Sequence, residues 1–374
     1  MKKNIMKKAM FQIQTKIREM SREDVILAIS LILLFCSTFY FLKPAIAGDG
    51  ISYLEAMQVL DTGVIPSGFI PNRILTTFGG LLVPVLFAKI FGHIAFFWFT
   101  MNTVFFFLGG IVFYRLLALL TGHRQSALLG ALFLMSSYAV IRFGLNFLMD
   151  MGGFALYAFS LFYMLKYALS QDRKYLLYAS LATGIGGLFK EYALLSVIPI
   201  IVFLVYEHHK NIIELIRKSF LPAIFSSVPI LIVYMCVFFV FDYAYTDWLA
   251  TNQILYSYSS RVVEYVKTFG ALLNFLGILF VSGLYVLSQE WSTIEKRVRA
   301  FLVAVCFSCL PVFFWPAITE RILYCTVPFV IIVASYAIKK YQKYQFVFIV
   351  LLSLYIVCNF LLDAVILPAI NLPL

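Results

Sequence analysis

The sequence predicts an all-α protein, a polytopic membrane helical bundle of about eleven transmembrane helices. Of its 374 residues, 63% are hydrophobic and 13% are charged, whereas soluble domains carry about 45–50% apolar and about 25% charged residues. A spanning helix needs roughly 20 apolar residues, so this length accommodates about ten to twelve spans. We therefore expect a single transmembrane domain over residues 25–366, with no second soluble domain.

The net charge of +11 has two interpretations, nucleic-acid binding and the excess of basic residues in the cytoplasmic loops of membrane proteins. The second fits the hydropathy, so no nucleic-acid partner is expected. All six cysteines lie in apolar runs, which does not indicate a disulfide framework.

The first elements are a basic segment and a membrane anchor. Residues 1–24 contain seven Lys and Arg and are predicted to be cytoplasmic. The apolar run 25–45 is too long for a signal-peptide core, so we interpret it as an uncleaved first span. A polar loop follows on the outer side, within residues 44–93.

The apolar run 74–120, interrupted at residues 89–93, fits either two spans, or an interfacial helix at 74–91 followed by one span at 94–119. With one span, the later basic clusters fall on the side of the N-terminus, and most of the 29 Lys and Arg residues are inside. Two spans would put those clusters outside, against the usual charge bias. The sequence therefore predicts interfacial helices in the first outer loop.

The remaining spans complete the bundle and leave a short tail, 367–374, outside. The pair at 175–189 and 192–206 is short and could be one broken helix, but its basic flanks favour an outward-pointing hairpin. The further spans are predicted at 126–142, 152–168, 175–189, 192–206, 219–241, 268–288, 300–316, 322–338 and 345–366.

This topology gathers acidic residues at the outer side of the bundle, and two of them are candidate catalytic residues. Asp49 lies between Gly48 and Gly50, where it is either a helix cap or a general base. Asp150 lies in an outer turn, where it is either a helix cap or a second carboxylate facing Asp49. If a metal is bound, these two carboxylates are its candidate ligands.

Three basic residues end outer loops on the same side: Arg73, Lys190 and Arg321. They either pair with neighbouring acids or converge as a phosphate site, which arginine binds bidentately. The side chains expected to line a substrate site around them are Tyr53, Glu55, Glu191, Tyr192 and Glu320.

Several motifs in their order resemble the GT-C superfamily of membrane glycosyltransferases, of the arabinosyl- and mannosyltransferase type. The resemblance covers roughly residues 25–340 and rests on order and spacing. The motifs are A-G-D-G-I-S-Y-L-E-A in the first loop, P-N-R-I-L-T-T-F-G-G-L-L-V-P-V-L-F after it, L-L-A-L-L-T-G-H-R-Q-S-A-L-L-G-A-L-F-L, the outer-turn Asp150, G-I-G-G-L-F-K-E-Y-A-L-L, and E-R-I-L-Y-C-T-V-P-F-V.

The resemblance implies transfer of a sugar from a polyprenyl-phosphate donor to an acceptor hydroxyl on the outer face of the cell membrane. It makes Asp49 the catalytic base of an inverting displacement, with the acceptor a glycan, lipid or protein. It gives Asp150 a role in acceptor or metal binding and Arg73, Lys190 and Arg321 contacts to the donor phosphate. No cofactor is expected to be required, and a divalent cation, Mg²⁺ or Mn²⁺, stays an option.

Two other functions are consistent with the composition: a lipid-linked-sugar flippase or other transporter, and an inactive GT-C-like scaffold. A transporter site is expected near the middle of the membrane. Here the polar residues gather at one side of the bundle, which favours the enzyme.

Overall fold

The computed structural model describes residues 21–255, 270, 275–311 and 323–362, and every regular element in them is helical. This confirms the predicted all-α class. Arg321, Glu320 and the tail 367–374 lie outside the described residues, as does most of the basic segment 1–24. The helices are α1 (Arg22–Leu42), α2 (Asp49–Thr62), α3 (Asn72–Phe91), α4 (Ile94–Thr121), α5 (Arg124–Met135), α6 (Asp150–Ser170), α7 (Arg173–Phe189), α8 (Val197–His208), α9 (Ile212–Phe241), α10 (Tyr245–Leu255), α11 (Leu276–Glu290), α12 (Lys296–Cys309), α13 (Leu323–Lys340) and α14 (Gln345–Leu361).

Six helical stretches in the described residues are long and apolar enough to cross a membrane, as expected of a multi-pass membrane protein. Others are shorter, such as α5 with 12 residues and α12 with 14, so the count of about eleven stays a prediction. The six are Arg22–Leu42, Asn72–Phe91, Ile94–Thr121, Glu191–His208, Ile212–Phe241 and Gln342–Leu361.

Ion pairs tie the helices together at the end of the bundle predicted to be cytoplasmic. Each pair joins two helices that are distant in sequence and brings residues near their ends together. The pairs are Asp24 with Arg115 at 3.0 Å, Glu207 with Arg297 at 3.4 Å, and Glu290 with Lys340 at 2.7 Å. The candidate site residues lie at the opposite helix ends.

Helix α3 contacts the ends of two neighbouring helices. A Cβ atom built on Gly79 would lie 3.0 Å from the Cβ of Leu188, one residue before the end of α7. Further along α3, the Phe87 ring stacks on Phe97, in the first turn of α4, with the centroids 5.5 Å apart. Both halves of α3 thus contact helix ends on the site side. The interfacial position stays a prediction, because α3 is one of the six described stretches long and apolar enough to cross a membrane.

The predicted span 126–142 is wrong as one continuous helix. Helix α5 ends at Met135 and is followed by a separate π-helical turn, Val140–Gly144. Asn102, which is fully buried in α4, donates hydrogen bonds of 2.8 Å to the carbonyl oxygens of Asn146 and Leu148. A buried amide needs hydrogen-bond partners, and the 146–148 segment offers carbonyl groups that are not used within a helix. The Asn102 side chain therefore stabilises this irregular segment.

The chain reverses at Lys190, as the hairpin interpretation of 175–189 and 192–206 predicts. Lys190 is extended, with φ −160° and ψ 131°, and a 3₁₀ turn at Glu191–Ser196 precedes α8. The hydroxyl groups of Thr183 and Ser196 are 2.7 Å apart. The residues after the turn therefore pack back onto α7, which excludes a single broken helix.

Candidate active site

Asp49 is the first residue of α2, and its carboxylate does not cap that helix. Gly48 is the N-cap, at a positive φ of 53° that favours glycine. The Asp49 side chain is 40% exposed, and its Oδ1 accepts a hydrogen bond of 2.6 Å from Nη2 of Arg73. The ion pair joins α2 to the start of α3 and fixes the orientation of the carboxylate.

A cavity of about 420 Å³ opens beside Asp49. It lies between the end of α1, the start of α2 and the irregular segment that follows the π-helical turn. Asp49 and Arg142 are the charged side chains among its lining residues. The lining residues are Leu42, Ala47, Gly48, Asp49, Arg142, Phe143, Asn146, Phe147 and Leu148.

Tyr53 lies between two basic residues behind the Asp49 carboxylate. Its side chain is fully buried, and the guanidinium carbon of Arg73 lies 4.7 Å from its ring centroid. The Lys190 Nζ donates to the Tyr53 hydroxyl at 3.4 Å and lies 3.6 Å from Oε2 of Glu191. The structure thus brings Asp49, Arg73, Tyr53, Lys190 and Glu191 into one connected group.

Asp150 is the first residue of α6, whereas the N-cap is Met149. The cap interpretation of Asp150 is therefore wrong. Asp150 is fully buried, and its backbone carbonyl accepts a hydrogen bond from the Tyr192 hydroxyl. It is not among the residues that line the cavity.

Glycines at the start of α6 allow the turn at Lys190 to approach. A Cβ atom on Gly152 would lie 2.4 Å from the Phe189 ring, and one on Gly153 would lie 2.6 Å from the Lys190 Cβ. No real Cβ tolerates such distances. The position of Lys190 therefore depends on glycine at 153.

A buried acid and stacked aromatic rings lie on the far side of Lys190. The Glu191 side chain is 9% exposed, so its charge requires the neighbouring Lys190. Burial, followed by the negative charge of Glu191, raises the pKa of Tyr245, which keeps this phenol neutral. Tyr245 stacks on Trp248 with the centroids 5.0 Å apart. Helix α10 thus covers this side of the group.

Two predicted lining residues lie apart from the group or outside the described chain. Glu55 is on the exposed face of α2 and is not among the cavity residues. Glu320, like Arg321, is outside the described residues.

The described side chains do not form a metal-binding set. They contain no group of three or more His, Cys, Asp or Glu side chains that could hold a metal, and Oδ1 of Asp49 is engaged by Arg73. We derive no step through a metal, and Mg²⁺ or Mn²⁺ binding by Asp49 and Asp150 stays a prediction.

Sequence reasoning missed two residues of the cavity wall, Arg142 and Asn146. The predicted helix 126–142 placed Arg142 at its last position, and Asn146 had no role. One signal was present in the sequence: Asn102, a polar residue within the long apolar run 94–119. Such a residue needs a hydrogen-bond partner in the bundle, and the structure supplies it from the 146–148 segment.

Part of the chain is similar in sequence to a known protein family. Residues 79–239 match the family of dolichyl-phosphate-mannose-protein mannosyltransferases. The match confirms the resemblance to GT-C membrane glycosyltransferases that the motifs predicted. It spans most of α3 through α9 and includes Arg142, Asp150 and Lys190, whereas Asp49 and Arg73 precede it. No curated protein matches the chain.

Proposed function

We propose that this protein transfers a sugar from a polyprenyl-phosphate donor to an acceptor hydroxyl on the extracytoplasmic face, with inversion at the anomeric carbon. One observation carries the proposal: the partly exposed Asp49 carboxylate lines an open cavity and is held by Arg73 at 2.6 Å. The matching family, whose name specifies a dolichyl-phosphate sugar, supports the lipid-linked donor.

In this reaction Asp49 is the general base. The acceptor oxygen attacks the anomeric carbon while its proton passes to the Asp49 carboxylate. The bond between the anomeric carbon and the phosphate oxygen breaks, and the electron pair leaves with polyprenyl phosphate. A positioned base contributes typically 10²–10⁴-fold to such a step.

The developing negative charge on the leaving phosphate needs fixed positive groups nearby. Arg73 and Lys190 are placed for this role on either side of the buried Tyr53 ring. Arg321, which we assign to the same role from the sequence, lies outside the described residues.

The outer orientation rests on the distribution of charge. The ion-paired loops around Arg115, Arg297 and Lys340 lie at the end opposite Asp49. Because cytoplasmic loops carry the excess of Lys and Arg, the Asp49 cavity is assigned to the extracytoplasmic side.

The test is to replace Asp49 by Asn in protein purified into lipid nanodiscs. Release of polyprenyl phosphate from a panel of polyprenyl-phosphate sugars would be measured with a membrane extract as the source of acceptors. Asp49→Asn is expected to lose about 10²–10⁴-fold in the rate of release. Asp61→Asn is the matched control, because Asp61 ends the same helix and is also paired, with Lys89 at 3.9 Å.

The outcomes separate the competing functions. Unchanged transfer in Asp49→Asn would exclude its role as the base. Movement of the intact lipid-linked sugar across the bilayer, without release, would identify a transporter. Tight binding of the donors without either activity would identify a scaffold.

A further inference from the structure

We infer that Arg142, a residue of the Asp49 cavity, binds the lipid-linked phosphate in addition to Arg73 and Lys190. The inference rests on the proposed function and adds a binding residue that the sequence did not single out.

The charges in the cavity wall favour an anion at Arg142. Arg142 is the basic side chain among the described residues that line the cavity, and Asp49 is the acidic one. Lys190 does not line the cavity, and its side chain is only 11% exposed beside Glu191. Arg73 is engaged by Asp49 and lies over Tyr53. Among the side chains that line this cavity, Arg142 is therefore the one whose charge attracts a phosphate.

The backbone that carries Arg142 is irregular and firmly held. Arg142 lies in the π-helical turn Val140–Gly144, and π-helical turns occur frequently at functional sites. The segment after it is fixed by Asn102 and by Trp98, whose Nε1 donates to the Leu148 carbonyl at 3.2 Å. Because these hydrogen bonds hold the wall in place, less conformational entropy is lost when a ligand binds.

The rest of the cavity suits a phosphate attached to a hydrocarbon chain. Leu42, Phe143 and Phe147 form apolar walls next to the charged groups. On α1, just before the cavity, Tyr40 and Phe41 expose 73% and 64% of their surfaces. A chain leaving the cavity along this surface would stay in contact with apolar groups, whereas inorganic phosphate would gain nothing from it.

The test measures binding separately from sugar transfer. Wild-type protein, Arg142→Gln, Arg142→Lys, Lys190→Gln and Arg124→Gln would be titrated in nanodiscs with undecaprenyl phosphate, undecaprenol and inorganic phosphate. Arg124 is the matched control, because it is exposed at the start of α5, at the opposite end of the bundle from Arg142. Thermal unfolding of each variant checks that it is folded.

We expect undecaprenyl phosphate to bind wild-type protein more tightly than either partial ligand. Because a charge-assisted hydrogen bond contributes about 1.5–3 kcal/mol, Arg142→Gln should weaken this binding by about 10–100-fold. Arg142→Lys should fall between Arg142→Gln and wild type, and Arg124→Gln should bind as wild type does.

Other outcomes would overturn the inference in distinguishable ways. Equal binding by folded Arg142→Gln and wild type would exclude the role of Arg142, and the proposed transfer would stand if wild type still released polyprenyl phosphate. Loss of binding only in Lys190→Gln would move the phosphate to Lys190. If inorganic phosphate binds as tightly as undecaprenyl phosphate, a lipid-linked ligand is excluded. If wild-type protein neither binds nor releases undecaprenyl phosphate, the proposed function is overturned as well.

Discussion

Arg73 makes two contacts at once, and both depend on the shape of its guanidinium group. One nitrogen donates to the Asp49 carboxylate at 2.6 Å, while the planar group lies over the Tyr53 ring at 4.7 Å. The side chain is 17% exposed, so both contacts form in a partly desolvated setting. At the scale of single residues, Arg73 is therefore placed to orient Asp49.

Replacement of Arg73 by Lys tests this positioning role. Lysine keeps the charge but cannot stack and pair in one geometry. We expect the turnover number for polyprenyl-phosphate release to fall about 10–100-fold, since a hydrogen bond to a charged group contributes about 1.5–3 kcal/mol, while the KM for the donor changes little. The measurement is steady-state kinetics of the purified protein.

The same experiment distinguishes positioning from direct phosphate contact. If Arg73 binds the donor phosphate in the ground state, the KM should rise instead. Lys89→Met serves as the control, because Lys89 pairs loosely with Asp61 at 3.9 Å and is half exposed. A similar loss in Lys89→Met would mean that the α2–α3 contact as a whole is required and that Arg73 has no special role.

At the scale of elements, two interrupted helical stretches build the site. One break follows α5 and produces the π-helical turn with Arg142. The other separates α7 from the 3₁₀ turn before α8 and presents Lys190, Glu191 and Tyr192. Chain breaks of this kind are tolerated in a membrane only where they are buried in protein or line a cavity. Both conditions are met here.

The second break depends on Gly153, and its replacement by Ala tests that dependence. The added Cβ would lie 2.6 Å from the Lys190 Cβ, so the turn must move or α6 must shift. We expect the free energy of unfolding to fall by about 1–3 kcal/mol. The rate of polyprenyl-phosphate release should fall further than the decrease in the amount of folded protein would explain. Activity and thermal unfolding would be measured on the same samples.

Gly184→Ala is the control at this scale. Its added Cβ would lie 2.1 Å from the Phe225 carbonyl oxygen, a clash between α7 and α9 that does not involve Lys190. If activity falls in proportion to stability in both variants, Gly153 has a purely structural role.

At the scale of the whole molecule, the bundle has two chemically different ends. Inter-helix ion pairs whose basic side chains are about half exposed hold the basic end. The other end holds the cavity, the Asp49–Arg73 pair and the buried Lys190–Glu191 pair. This asymmetry suits an enzyme that acts on one face of a membrane.

The orientation can be tested by labelling introduced cysteines in intact cells. Asp61 and His209 are both exposed and lie near opposite ends of the bundle. A membrane-impermeant maleimide should modify Asp61→Cys in intact cells and His209→Cys only after permeabilisation, with the native six-cysteine protein as the background control. The reverse pattern would place the cavity in the cytoplasm.

The amino-acid sequence by itself determined the helical class and the apolar runs, and it predicts on which side of the membrane the loops and the acids lie. These follow from apolar run length and charge, which act locally and need no partner. The sequence also indicated four site residues for the same reason, because each is a charged residue that interrupts apolar sequence: Asp49, Arg73, Lys190 and Glu191.

Only the tertiary structure decided how these residues are paired and what faces the cavity. The irregular 146–148 segment is held by a buried amide at Asn102, more than 40 residues away in sequence, and the Lys190 turn depends on contact with Gly153. Arg142 lines the cavity, whereas Asp150 is buried and its carbonyl accepts a hydrogen bond from Tyr192, just after the Lys190 turn. Local sequence patterns do not reveal these long-range contacts. A buried polar side chain forms hydrogen bonds with whichever backbone groups the fold places next to it.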